Sequence, residues 1–372
     1  MKISAIHCWA VPLKSHTTYY MADGKACDTV DSMVIEIKTD SGLSGWGEVC
    51  PIPHYLPAYA RGVVPAIEEM LPVLLGADPV GPEALMQRLN AWLVGHDYAK
   101  SAIDTALWDI TGKAAKLPLY ALLGGRCADT LPLYHSITCI AADDMAGMAK
   151  EAYASGIRQF QVKLGADNNW QHDVERLTKV REVVGNGPLV YGDWNCGAQQ
   201  LDAIRVARAV AHLDIMLEQP CQTLESCAAV KQSCHLPMKI DENAFDLASL
   251  LQAHRLGCLD AVALKLSKFG GLSAMRRARD LCVHLGVRMC IEDTWGSDIT
   301  TATAIHLATA TAAPSVLNVC DLSGYVSPRL DATGPERHEG RIAVTDAYGH
   351  GINPDPTVLG TATAIFDWTL LR

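Results

Sequence analysis

Gln161-Val162-Lys163, Gly192-Asp193-Trp194-Asn195, Leu217-Glu218-Gln219-Pro220, Lys239-Ile240-Asp241-Glu242-Asn243, Leu264-Lys265-Leu266-Ser267-Lys268 and Ile291-Glu292-Asp293-Thr294-Trp295 follow one another through the second half of the chain. Their charged residues Lys163, Asp193, Glu218, Asp241, Lys265 and Glu292 are separated by 30, 25, 23, 24 and 27 residues. A strand, a helix and two short loops use that much chain. The spacing therefore predicts polar residues at the C-terminal ends of successive parallel strands in a βα barrel, where such ends converge on one site.

The flanking sequence agrees with that reading. Short apolar runs at 131–134, 160–163, 189–193, 216–218, 238–241, 261–264, 288–291 and 316–318 are expected strands. Between them, 143–154, 171–184, 200–211, 224–234, 247–256 and 273–285 carry helical patterns. Eight strands alternating with helices match a (β/α)8-type barrel, an α/β fold. The chain before 131 reads differently. Ile3, Ile6, Cys8 and Ala10 begin a strand-like segment, 15–29 is polar, and Met33-Val34-Ile35-Glu36-Ile37 ends at the turn Asp40-Ser41-Gly42. Gly45-Trp46-Gly47-Glu48 closes a third strand, and 62–116 shows helical periodicity through Ala102, Ile103, Ala106, Leu107 and Ile110. Strands followed by helices predict a separate α+β domain over 1–128, ahead of a barrel over 129–340. The Gly- and Pro-rich tail, 341–372, is too short for another βα unit and is expected to return to the first domain.

At 372 residues, with 49% hydrophobic residues and 19% charged, the chain has room for two domains and a large buried core. A net charge of -10 argues against a nucleic-acid binder. The 13 cysteines are scattered singly, without a CxxC pair or a Cys/His cluster, as buried free thiols are. The N-terminus alternates like a strand and not like a signal peptide, and no apolar run is long enough to span a membrane. A soluble, cytoplasmic protein is expected.

Asp193, Glu218 and Asp241, one on each of three consecutive strands, would repel one another if left unpaired. Hard oxygen ligands of this kind suit Mg²⁺. The competing reading is that each acid caps a helix or pairs with a base. Glu242 follows Asp241 directly, so strand alternation is expected to turn it to the other face. Lys163 and Lys265 flank the acids and are candidate bases, since a lysine near a metal and other cations can titrate low. The competing reading is a pair of barrel lysines neutralising the acids. Asn195 is read as orienting the site, and Lys268 as a second polar group or a helix-start lysine. Of Glu292 and Asp293, one is expected to meet a lysine or the substrate and the other to begin a loop. Gly124-Gly125 and Gly270-Gly271 lack a GxGxxG frame and read as turns.

These motifs together resemble the enolase superfamily, in its muconate-lactonising-enzyme-like branch, over nearly the whole chain. The resemblance implies a modified TIM barrel of (β/α)7β type, with an α+β N-terminal capping domain completed by the C-terminal segment. It implies that Asp193, Glu218 and Asp241 bind Mg²⁺ and that Lys163 and Lys265 move a proton at the carbon next to a carboxylate. Cap loops at about 15–29 and 50–59, the second containing Tyr55, help choose the substrate. The second-strand motif is often Lys-x-Lys, and here its first position is Gln161. Within the branch, Gly95-His96-Asp97-Tyr98-Ala99-Lys100-Ser101-Ala102-Ile103-Asp104, Asp293-Thr294-Trp295-Gly296-Ser297-Asp298 and Cys320-Asp321-Leu322-Ser323-Gly324-Tyr325-Val326 resemble enzymes of hydroxyproline and proline-betaine catabolism. That likeness implies a carboxylate-bearing cyclic amino acid as substrate, and a homo-oligomer. Two outcomes follow from it: dehydration of cis-3-hydroxy-L-proline, or 2-epimerisation of a proline betaine. Leu322 stands where a betaine-binding tryptophan is expected, which favours dehydration. Asp293, Trp295 and Asp321 are then candidate substrate contacts, with Asp293, Asp298 or Asp321 accepting from a secondary ammonium. Dipeptide epimerisation and cycloisomerisation are further alternatives within the branch.

Overall fold

A computed structural model describes residues 1–368. Strands β1 (Ile3–Tyr20), β2 (Ala26–Thr39) and β3 (Ser44–Val49) form an antiparallel meander. Helices α1 (Val63–Leu74), α2 (Pro82–Trp92) and α3 (Asp97–Ala115) cover it. Gly45 and Gly47 allow α3 to lie directly on β3, since a Cβ at either would collide with the helix backbone at Ala106 or Ala102. Ile35, Ile37, Ile67, Met70, Ile103 and Ile110 are among the fully buried residues of this domain's core.

The segment 15–29 differs from expectation. It is no loop: β1 runs unbroken to Tyr20, and the hairpin turns only at Ala22–Gly24. Thr17-Thr18-Tyr19-Tyr20 is β-branched and aromatic, which suits a strand.

The second domain is an eight-stranded parallel sheet in simple sequence order: β4 (His135–Ile137), β5 (Gln159–Lys163), β6 (Leu189–Asp193), β7 (Met216–Glu218), β8 (Met238–Ile240), β9 (Ala261–Lys265), β10 (Arg288–Glu292) and β11 (Val316–Val319). A parallel bridge from Leu133 to Val319 joins the two ends. Helices α4 (Ala142–Ala154), α5 (Trp170–Val184), α6 (Gln200–Ala209), α7 (Leu224–Gln232), α8 (Leu247–Arg255), α9 (Leu272–Leu285) and α10 (Asp298–Thr309) connect successive strands. This is the (β/α)7β arrangement. The first barrel strand is His135–Ile137 and not 131–134. Leu131–Pro132 joins a small antiparallel sheet with Arg341–Ile342 and Arg337–His338 instead. Pro132 has no N–H to give to a central ladder.

At the C-terminal end, β12 (Ala364–Asp367) pairs with β1, so the tail does return to the first domain. Residues 369–372 of the expected C-terminal segment lie outside the described residues. Among the described residues every cysteine is a free thiol, and no helix is long and apolar enough to cross a membrane.

Two acids of the cap fasten it to the barrel. Glu48 of β3 accepts from Ser297 N (2.9 Å) and Oγ (2.7 Å) and from Thr300 N (3.0 Å) and Oγ1 (2.9 Å), at the start of α10. Asp104 of α3 accepts from Ser273 N (2.7 Å) and Oγ (2.6 Å), at the start of α9. Each carboxylate sits where a helix leaves its first N–H groups without intrahelical partners.

Candidate active site

Parallel register brings the site together. Lys163, Asp193, Glu218 and Lys239 are successive partners across β5, β6, β7 and β8, and Lys265 is the partner of Glu292 across β9 and β10. In the closed barrel, β5 and β9 are four strands apart, so Lys163 and Lys265 stand on opposite sides of its mouth with the acids on the arc between. Asn195 and Cys196 take left-handed φ of 44° and 69°, and Gln219 a φ of 32°, so the chain turns sharply after β6 and β7. The Gln219 amide oxygen accepts from the N–H of Asp241 (3.0 Å) and Asn243 (3.3 Å), fixing where Asp241 leaves β8.

Asp193, Glu218 and Asp241 are 0, 0 and 1% exposed. Lys163 reaches Asp193 Oδ2 at 2.5 Å and Asn195 Oδ1 at 3.1 Å. Gln161 donates from one amide nitrogen to Asp193 Oδ2 (3.0 Å) and Glu218 Oε2 (2.9 Å), while its oxygen accepts from Ser136 Oγ (2.8 Å). The other oxygen of Glu218 pairs with Lys239 at 2.8 Å. Asp241 is held between Lys265 at Oδ2 and Lys268 at Oδ1, both at 2.7 Å.

Burial, reinforced by Asp193, pushes the Glu218 carboxyl up to about 8. Burial also works on Asp241, but Lys265 and Lys268 outweigh it and hold that carboxyl well below the usual range. Burial opposes the charge on both candidate bases. Asp193 and Glu218 overcome it at Lys163, and Asp241 and Glu292 at Lys265, so both are raised.

Several expectations change here. Glu242 is not turned away: β8 ends at Ile240, strand alternation does not reach Glu242, and it accepts from Asn195 Nδ2 (3.0 Å). Burial, then Asp241 and Asp193, raise it to about 7. Asp321 does not reach the pocket. It caps the turn at Leu322–Tyr325 and pairs with Arg337 at 2.7 Å. Asp298 is likewise held by Arg329 and by the N–H of Leu330 and Asp331. Asp293 lines the pocket, but Ser267 and Thr294 occupy its oxygens. Lys268 is not among the residues lining the cavity; its ammonium is engaged by Asp241, and it lines an adjoining groove of about 590 Å³.

The cavity itself is small, about 60 Å³, and is lined by Lys163, Lys265, Asn195, Trp295 and Tyr55 from the sequence reading. Leu322 also lines it, as do Gln161, Glu292 and the rings of Tyr19, Tyr134 and Tyr325. Tyr19 and Met21 come from the tip of the β1–β2 hairpin, and Tyr55 donates to Met21 Sδ, joining that hairpin to the segment at 50–59. Sequence reasoning missed Tyr19, Tyr134 and Lys239. Lys239 lies two residues before Asp241, and that alternation was a usable signal. Tyr134 carried none, because its strand was misplaced.

Among the described residues no three acidic, histidine or cysteine side chains stand grouped as a metal cluster; the acids are turned to lysines and to Gln161. The donor chemistry nevertheless fits a hard divalent cation. Asp193, Glu218, Asp241, Glu242, Glu292 and Asp293 crowd the strand ends against only four ammonium groups, those of Lys163, Lys239, Lys265 and Lys268. Fully ionised, that set leaves two negative charges uncompensated in a buried site, where unpaired charge is costly.

Comparison with known proteins agrees with this arrangement in both domains. The family model for the mandelate racemase / muconate lactonizing enzyme N-terminal domain matches residues 10–124, and the enolase C-terminal domain-like model matches 144–358. The chain is 38% identical to a cis-3-hydroxy-L-proline dehydratase from Roseibium aggregatum, over 98% of this chain and 99% of that protein. It is 28% identical to an N-succinyl-L-Arg/Lys racemase from Bacillus cereus, over 99% of each. An enolase superfamily member from Roseovarius nubinhibens, crystallised with magnesium, superimposes with a TM-score of 0.93 at 33% identity, covering 98% of this chain and 99% of that one. With both its barrel and its cap matched by models of one lineage, this chain belongs to the enolase superfamily, as an enzyme of the mandelate racemase/muconate lactonizing enzyme group.

Proposed function

We propose that this enzyme removes the proton α to a carboxylate with Mg²⁺, and that its reaction is dehydration of cis-3-hydroxy-L-proline to Δ1-pyrroline-2-carboxylate. The observation that carries the reading is the placement of Lys163 and Lys265 on opposite sides of one small cavity, with three buried acids on the strands between. The 38% identity to a protein of that name supports the substrate. In this reading residues 1–128 are the cap, 129–340 the catalytic barrel and 341–372 the returning tail.

Asp193, Glu218 and Asp241 would hold the metal, which supplies a Lewis acid that neutralises charge developing on the substrate carboxylate. The chain's own residues do the rest. Gln161 and Lys239 fix the two oxygens of Glu218, and Asn195 fixes Asp193 and Lys163. In a cis-3-hydroxyproline the hydroxyl shares the carboxylate's ring face and the α-proton lies on the other. Two lysines on opposite sides divide that work: one takes the α-proton at Cα, and the other gives a proton to the hydroxyl as the C3–O bond breaks and water leaves. The enamine product tautomerises to the cyclic imine. Tyr19, Tyr55 and Trp295 line the cavity and would pack against the ring. A cavity this small favours a single ring over a dipeptide.

One observation favours a second reading, 2-epimerisation of proline betaine or 4-hydroxyproline betaine. Tyr19, Tyr55, Tyr134, Trp295 and Tyr325 all line the cavity, and aromatic faces attract quaternary nitrogen by about 0.5–2 kcal/mol. Without a leaving group, the second lysine would reprotonate Cα. The test is kcat/KM for cis-3-hydroxy-L-proline against the two betaines at equal pH and Mg²⁺. Dehydration is expected to be faster; a higher value for either betaine would replace the first reading with the second.

A further inference from the structure

We infer that Glu292, oriented by Tyr134, recognises a protonated secondary amine on the substrate and so makes this cavity prefer a ring N–H over a quaternary nitrogen. The inference rests on the proposed cyclic amino acid substrate and adds the group that reads its nitrogen.

The barrel order sets the geometry. The acids occupy β6 to β8, and the lysines occupy β5 and β9. A substrate with its carboxylate toward the acids and its α-carbon between the lysines must direct its nitrogen and ring toward the remaining arc, β10, β11 and β4. Glu292 ends β10, four strands from Asp193 on β6, and lines the cavity.

Charge narrows the choice. An ammonium ion in a cavity walled by Lys163 and Lys265 needs an anion, and Glu292 and Asp293 are the acids that line it. Asp293 is more heavily engaged: its Oδ1 accepts from Ser267 N (3.1 Å), Ser267 Oγ and Thr294 N (2.7 Å), and its Oδ2 shares the Ser267 N–H at 3.2 Å. Asp298 and Asp321 are tied to Arg329 and Arg337 away from the cavity. Glu292 is different. Its Oε2 accepts from the Tyr134 hydroxyl, and among the described residues no hydrogen bond engages its Oε1. The residue is 2% exposed and lines the cavity. A buried carboxylate with one oxygen anchored and the other unengaged is an acceptor awaiting a donor.

The Tyr134 anchor is itself firmly set. Its ring lies 5.6 Å from the Lys239 ammonium, and its neighbour Tyr191 lies 4.5 Å from the same group. Lys239 therefore supplies positive charge beneath Glu292 without taking its oxygens. A secondary ammonium can donate an N–H to Oε1. A quaternary nitrogen has none to give, and its methyl groups keep the charge at a distance, so it must depend on the aromatic rings.

The test is the dissociation constant of L-proline and of proline betaine, measured by titration calorimetry on the full chain with Mg²⁺ present, for wild type, Glu292→Gln and Tyr134→Phe. Glu292→Gln should weaken L-proline by roughly tenfold to a hundredfold, the loss of a charged hydrogen bond, and proline betaine by less than about threefold. Tyr134→Phe should weaken L-proline selectively as well, by a smaller factor. Equal weakening of both ligands, or a greater loss for the betaine, would overturn the inference. If Glu292→Gln does not fold, Tyr134→Phe decides alone: a selective loss for L-proline supports the role, and an equal or absent loss overturns it. Selective loss in an enzyme that does not dehydrate cis-3-hydroxy-L-proline would sink the proposed reaction and leave Glu292 standing. Dehydration with no selective loss would do the reverse, and a wild type that binds neither ligand would end both.

Discussion

Replacing Glu48 by alanine should loosen the cap from the barrel more than any surface change. The Glu48 carboxylate is 3% exposed and accepts from Ser32 Oγ, Ser297 N and Oγ, and Thr300 N and Oγ1. The three hydroxyls can turn to other acceptors. The two backbone N–H groups cannot turn, and each orphaned donor costs about 1–3 kcal/mol. The negative charge at the start of α10 adds about 0.3–2 kcal/mol. Together these come to about 2–8 kcal/mol, reaching past the usual range for one substitution. Glu48→Gln should fall between, because its NH2 must face one of the donors. The assay is urea unfolding together with amide hydrogen exchange at Ser297 and Thr300. Since Trp295 lies just before this joint, KM should rise as well. An alanine variant within about 1 kcal/mol of wild type, with both amides still protected, would refute the reasoning.

Three other outcomes follow from the site and the core. Asp193→Asn, Glu218→Gln and Asp241→Asn should each weaken Mg²⁺ binding, read by calorimetry, by at least about tenfold through loss of a charged ligand; unchanged affinity in any one removes that residue from the set. With Lys163 and Lys265 replaced singly by alanine, both variants should lose dehydration, but one should keep exchanging the α-proton of L-proline and the other that of D-proline; loss of both exchanges in both variants would contradict opposite-face action. His306 is fully buried, and burial, then His350, lower it to about 3. Its unfolded form binds the proton first as pH falls from about 6.5, so stability should drop by up to about 1.4 kcal/mol per pH unit toward 3, and His306→Gln should flatten that slope in urea melts between pH 7 and 5.

The barrel was legible because its signal is periodic. Strand-end charges recur every βα unit, and the strands at 189–193 and 216–218 match the structure residue for residue. The first strand was misread because 131–134 is as apolar as its neighbours, and only the missing N–H of Pro132 separates it from a barrel strand. The lysines and acids were legible as a series, but their partners were not. Asp293, Asp298 and Asp321 look alike in sequence, and only tertiary contacts with Ser267, Arg329 and Arg337 show that their oxygens are taken. Glu242 was misjudged because alternation was extended two residues past the end of a strand. The cap contacts of Glu48 and Asp104 join residues more than a hundred positions apart, and nothing local announces them.

The central claim is Mg²⁺-dependent loss of an α-proton from a cyclic amino acid. Incubation with cis-3-hydroxy-L-proline, L-proline and proline betaine in D₂O, followed by ¹H NMR with Mg²⁺ and after exhaustive chelation, tests it most directly. The account predicts that cis-3-hydroxy-L-proline loses its α-proton signal fastest, with Δ1-pyrroline-2-carboxylate appearing in step, and that chelation stops both. No α-exchange with any of the three substrates, or exchange that survives removal of the metal, would contradict it.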